Sequence, residues 1–206
     1  MSATSYAILG LLSLRSWTTY ELAQQMSRSL RRIWPRAESK LYEEPKKLAD
    51  LGLARARAEA VGGRPRTRYT ITRKGRRELS RWLSSPGAGP VLESEQLLQV
   101  LFGHQGRRED TLATLAAARA WAVAQNEENL AAARDYQAGH GPFQDHAAHN
   151  ILVGAFLTEH YRMVAEWSDW ATALVEAWPD EPAQAVPDPR ALAEVVRRAS
   201  WSEDSV

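Results

Sequence analysis

The chain has 206 residues, 44% of them hydrophobic, and a formal net charge of +1, which is enough apolar content for the core of one large domain or two small ones. No apolar run of about 18 residues is present to span a bilayer, and the opening MSATSYAILGLL lacks the basic segment and small-residue cleavage site of a secretory leader. A cytoplasmic protein without a membrane partner is expected, and the lack of cysteine excludes disulfides, thiolate catalysis and Cys-based metal centres.

The near-zero total hides a division. Residues 1–90 hold 18 Lys and Arg against 7 Asp and Glu, a net +11, whereas residues 91–206 hold 8 against 18, a net −10. A basic unit joined to an acidic one fits a polyanion-binding module carried by a second module that need not touch the polyanion. Ser84-Ser85-Pro86-Gly87-Ala88-Gly89-Pro90 interrupts any helix that reaches it. We therefore expect one domain over residues 1–85, a second over 91–178, and a tail over 179–206.

In the first domain, Tyr6 to Leu14 is an almost continuous apolar run, as in a buried helix. Thr18 and Glu21 form a capping-box pattern ahead of Leu22, Ala23, Met26 and Leu30, predicting a second helix. A third pattern runs from about Glu38 to Leu51, with Leu41, Pro45, Leu48 and Leu51 on one face and Gly52 as its terminator. Pro45 stands inside that pattern, where it would remove one helical hydrogen bond and favour a bend. Leu53 to Glu59 alternates strictly, placing Ala54, Ala56 and Ala58 on one face of a half-buried strand. Gly62-Gly63-Arg64-Pro65 is a turn, Arg66 to Thr72 returns with Tyr69 and Ile71 inward, and Arg73 to Leu83 closes the domain as a helix.

Three helices and a two-stranded wing in this order form a winged helix-turn-helix, in which the third helix enters the major groove of double-stranded DNA while the hairpin tracks the backbone. Arg36 precedes the third helix, Lys40, Lys46 and Lys47 project from it, and Arg64, Arg66 and Arg68 crowd the wing, as phosphate contacts require. Ser39, Lys40 and Tyr42 are assigned to base edges or the groove. Leu41-Tyr42 followed by Leu48, Gly52 and Leu53, then Gly63-Arg64-Pro65-Arg66, Tyr69, Thr72 and Gly75, resembles the signature of the PadR family. The resemblance implies a homodimer that represses promoters until a small molecule or other signal relieves it. It also implies Tyr42 and its neighbours at the groove and Arg64 and Arg66 on the wing.

The acidic half reads as three helices, about Val91 to His104, Arg107 to Ala138 and Ala147 to Trp178. On the last, Val153, Leu157, His160, Val164, Trp167, Ala171, Leu174 and Trp178 recur at steps of four and three, the seam of a coiled coil with one polar exception. Val153, Leu157, Val164, Trp167, Ala171 and Leu174 are accordingly expected at a homodimer interface. The fold class is then mainly α with a two-stranded β-wing: a winged helix-turn-helix domain plus a helical dimerisation domain. The tail is proline-rich from Pro179 to Pro189, followed by a short helix from Arg190 to Trp201.

Eight tryptophans are present, and Trp121, Trp167 and Trp170 lie where the helical domain could enclose a small aromatic or hydrophobic effector; core packing is the plainer role of each. His140, His146 and His149 beside Asp145 could approach a metal, but no fourth ligand has diagnostic spacing. No metal or cofactor is expected. With neither a nucleophile elbow nor a phosphate loop, the chain does not read as an enzyme. The alternative is an adaptor or architectural DNA-binding protein with the same fold and no effector.

Overall fold

The computed structural model describes residues 1–35, 42–61 and 64–200. Helix α1 (Ala3–Leu14) starts at Ser2, whose hydroxyl accepts from the Ser5 backbone while the Ser5 hydroxyl accepts from the Ser2 N–H. Ile8, Leu9 and Leu12 are almost wholly buried, which fits a helix that is apolar on most sides. A two-residue strand, β1 (Trp17–Thr18), follows; the Trp17 indole donates to the Leu11 carbonyl at 2.7 Å. Helix α2 (Thr19–Ser29) has the capping box expected from its sequence. Thr18 N–H donates to the Glu21 carboxylate at 2.6 Å, and Glu21 N–H to the Thr18 hydroxyl at 3.2 Å.

Helix α3 (Glu44–Asp50) has seven residues, shorter than the predicted Glu38 to Leu51. Tyr42 and Glu43 lie in a turn ahead of it, and residues 38–41 are outside the described residues. Pro45 therefore falls in the first turn, where a helix has no backbone bond to lose, and the expected bend has no cause. Gly52 follows the helix at φ +69°, the left-handed geometry that glycine takes without penalty.

Strands β2 (Ala54–Val61) and β3 (Arg64–Ile71) pair antiparallel with Ala54 opposite Ile71 and Glu59 opposite Arg66. The wing is not a free two-stranded ribbon, because β1 adds to β3, with Trp17 opposite Tyr69, giving the order β1-β3-β2. Tyr69 and Ile71 are buried as expected, and so is Ala54, but Ala56 and Ala58 are exposed. Alternation gives only the two faces of a strand; among the described residues nothing covers the outer half of this one.

Helix α4 (Arg73–Leu83) is capped by the Thr72 hydroxyl, which accepts from Gly75 N–H at 3.0 Å. These elements form one compact unit, Met1–Pro90, and Val91–Val206 forms another.

In the second unit, α5 (Glu95–Leu101) is shorter than the predicted Val91 to His104 because Ser94 caps it and a separate tight turn occupies Gly103–Gln105. Helices α6 (Arg108–Gln137) and α7 (Ala147–Glu176) form an antiparallel hairpin. Leu115 packs with Ala171 and Val175 at one end, Ala122 with Leu157 and Tyr161 further along. Beyond them the Asn129 amide donates to Gly154 O at 3.1 Å and to the Thr158 hydroxyl at 2.8 Å. Helix α8 (Pro189–Ala199), capped by Asp188, is the last element among the described residues.

Candidate nucleic-acid interface

Helix α3 is held from below and offered from above. Its Leu48, Pro45 and Glu44 are buried, leaving Lys46, Lys47 and Asp50 outward, with Tyr42 exposed in the preceding turn at 69%. The buried Glu44 carboxylate accepts from the Ser5 hydroxyl at 2.5 Å, tying α3 to α1, and lies 3.6 Å from Lys47 Nζ. A buried carboxylate is tolerated when it is bonded and paired in this way. Its partner lies 39 positions away, so no local pattern announces it.

The wing presents cations of two kinds. Arg66 is exposed, whereas Arg68 is engaged within the fold. Its Nε donates to both Glu59 oxygens at 2.9 Å, and its Nη1 approaches Glu21 at 3.4 Å and the Ser16 carbonyl at 3.3 Å. The hydrogen bond with Glu59 holds its guanidinium pKa above the ordinary value. Arg68 faces Arg57 across the ladder, an unfavourable pairing that the diagonal Glu59 offsets. Arg68 thus joins β2, β3 and the start of α2. Strand alternation alone places Glu59 beside the arginines, but only the register shows which one it meets.

Burial pushes the Glu21 carboxyl up, yet its hydrogen bonds with Thr18 and the guanidinium groups of Arg68 and Arg15 outweigh this and hold it below the usual range. The Arg15 guanidinium also lies 3.5 Å above the Trp17 ring, a cation–π contact. Arg36, Ser39, Lys40 and the Arg64 side chain lie outside the described residues.

The C-terminal assignments divide differently. Leu157 and Ala171 are buried against α6 of the same chain, and Val164 and Trp167 pack onto the same clusters, so much of the expected intersubunit seam closes the hairpin instead. A partner helix tethered by a short loop is already at hand when the seam forms. Val153 remains 42% exposed and Leu174 half-buried. Trp167 and Trp170 share one cluster, while Trp121 packs edge-on against Tyr161 and His160 at centroid distances of 5.7 and 6.2 Å. Among the described residues, no three His, Cys, Asp or Glu side chains converge as a metal-binding set, and no helix is long and apolar enough to cross a membrane.

Helix, helix, helix and hairpin, with exposed cations on the third helix and the wing, define the winged helix-turn-helix class of DNA-binding folds. Residues 8–81 match the transcriptional regulator PadR-like family. The negative transcriptional regulator PadR of Bacillus subtilis is 34% identical over 84 residues, which cover 40% of this chain and 46% of the relative. The match thus spans about half the length of that curated relative.

Among solved structures, Bacillus subtilis PadR in complex with operator DNA aligns at TM-score 0.72 and 23% identity over 84% of this chain and 99% of that one. The same protein in complex with p-coumaric acid aligns at TM-score 0.67 and 22% identity, over 85% and 99%. At these identities the likeness establishes the fold. The matched relatives are regulators rather than enzymes.

Proposed function

We propose that this protein is a homodimeric transcriptional regulator, a repressor that binds a palindromic operator through α3 and the wing and is released by a small-molecule effector. The observation that carries the reading is the outward display of Lys46, Lys47 and Arg66 on the third helix and the wing of a unit with net charge +11. Such cations contact phosphate and fix register, while Tyr42, Ser39 and Lys40 supply groove contacts. Homodimerisation is supported by a stripe of exposed apolar residues on α7, Leu152, Phe156 and Met163, each more than half exposed; their spacing puts them on one helix face, and an uncovered stripe of this kind marks an interface. Two copies about a twofold axis read an inverted repeat and double the contacts of one winged unit. Release by an effector is supported by the relative solved with p-coumaric acid.

The test is selection of bound sequences from a random duplex library, repeated with Arg64 and Arg66 both changed to alanine. Recovery of one inverted repeat, weakened or lost in the variant, is the expected outcome. Enrichment of no sequence at moderate salt would remove the sequence-specific reading in favour of the adaptor role.

A further inference from the structure

Residues of α7 and α8 line the same open spaces in the second unit. Two recesses, of about 680 and about 590 Å³, share Trp170 of α7 and Val195 of α8 as a common wall. The larger is bounded by Val100 and Leu101 from α5, Trp170 and Leu174 from α7, Trp178 just beyond the end of α7, and Leu192 from α8. Its volume falls within the range of about 300–1,000 Å³ typical of small-molecule sites, which are likewise mostly apolar with a few polar groups at the edge. Here those edge groups are His104 and Asp188.

The root of α8 is fixed while its body is not packed. Arg108 binds the Asp180 carboxylate at 2.8 Å and donates to the Trp178 carbonyl at 2.9 Å, and its backbone N–H donates to Asp180 O at 3.3 Å. Pro182 is buried just beyond, and Asp188 then caps α8 by accepting from Arg190 N–H at 2.8 Å. Yet the apolar stripe of α8 stays open, with Leu192 at 57%, Val195 at 50% and Val196 at 66% exposure. A tethered helix that buries no side chain of its own beside an unfilled apolar cleft has room to seat against something placed between.

We propose that the cleft between α5, α7 and α8 binds a flat, uncharged, apolar small molecule, with Trp170 and Trp178 as its aromatic walls and α8 as a cover that seats upon it. Two indoles give stacking surface, and a lining whose one ionisable carboxylate, Asp188, is already spent on a helix cap attracts neither cations nor anions strongly. The regulatory consequence, ordering of α8 when the effector is bound, rests on the effector-responsive reading above; the binding site itself does not.

The test uses the full chain and the neutral fluorescent probe N-phenyl-1-naphthylamine. We expect saturable fluorescence enhancement at one probe per chain, weakened by about tenfold or more in Trp170→Ala, which removes a stacking wall, and in Val195→Asp, and unchanged in Trp121→Ala. Val195 is half exposed on the last helix, so its variant keeps the fold even if Trp170→Ala does not; circular dichroism checks both. Absence of saturable enhancement, or equal affinity in Val195→Asp and the parent, overturns the proposal. So does enhancement that disappears with rising protein concentration as sedimentation shows self-association, because the cleft then belongs to a second copy. The duplex selection above is an independent readout. Its failure with probe binding intact removes the regulator reading and leaves the cleft, whereas a normal selection without probe binding removes the cleft alone.

Discussion

At Gly75 the missing side chain is a requirement of packing. A Cβ there would stand 2.1 Å from the Leu53 carbonyl oxygen and 2.9 Å from the Ile71 side chain, and a backbone oxygen cannot move aside without breaking its bond with Thr72 N–H at 3.0 Å. Gly75→Ala is therefore expected to cost about 1–3 kcal/mol, the usual range for overpacking a close contact, read as a lower thermal midpoint.

Glu21 acts through charge. Because its folded carboxyl lies below the ordinary carboxylate range, its contribution is full above the unfolded value and is lost as pH falls through that range toward the folded one. The thermal midpoint of the parent should fall on acidification across this window, and that of Glu21→Gln should fall less. An equal fall in both would show that the Thr18 and Arg68 contacts add no pH-dependent stability.

Elements are decided by their ends and by the size of the residues between them. Helix α3 begins at Glu44 with Pro45 in its first turn and stops at the left-handed Gly52, so a seven-residue helix depends on burial of Leu48 and Pro45 and on the Ser5–Glu44 bond rather than on its own propensity. The α6–α7 hairpin relies on small residues for close approach: Ala118 and Ala122 of α6 are each 1% exposed, and Ala171 of α7 7%. Ala122→Leu would drive a larger side chain between Leu157 and Tyr161, with an expected loss of about 1–3 kcal/mol by denaturant titration. A stabilised variant would mean that the interface holds unfilled space.

Across the whole molecule, charge separation makes a quantitative demand on DNA binding. Each phosphate contact contributes about −0.9 to the slope of log K against log salt on duplex DNA. Arg66→Ala should weaken binding and reduce the slope by about 1, because Arg66 is exposed on the wing. Arg68→Ala should weaken binding with the slope unchanged, because Arg68 is spent on Glu59 and Glu21. Fluorescence anisotropy across a salt series separates the two, and equal slope changes would return Arg68 to the phosphate-contacting set.

What the sequence determined by itself was whatever is encoded locally. Capping chemistry at Thr18 and Glu21, the terminating Gly52, the period-two run ending in buried Tyr69 and Ile71, and the opposite charges of the two halves all act through neighbours a few positions away, as did the long helices up to Gln137 and from Ala147. Only the tertiary structure decided which partners those residues meet. It paired Arg68 with Glu59, buried Glu44 against Ser5, added Trp17 and Thr18 as a third strand, and turned the α7 seam onto α6 within one chain. Periodicity says that a face is apolar and alternation says that a side chain points outward. Neither names the surface that covers it, because that depends on contacts between residues far apart in the chain, which exist only once the chain has closed on itself.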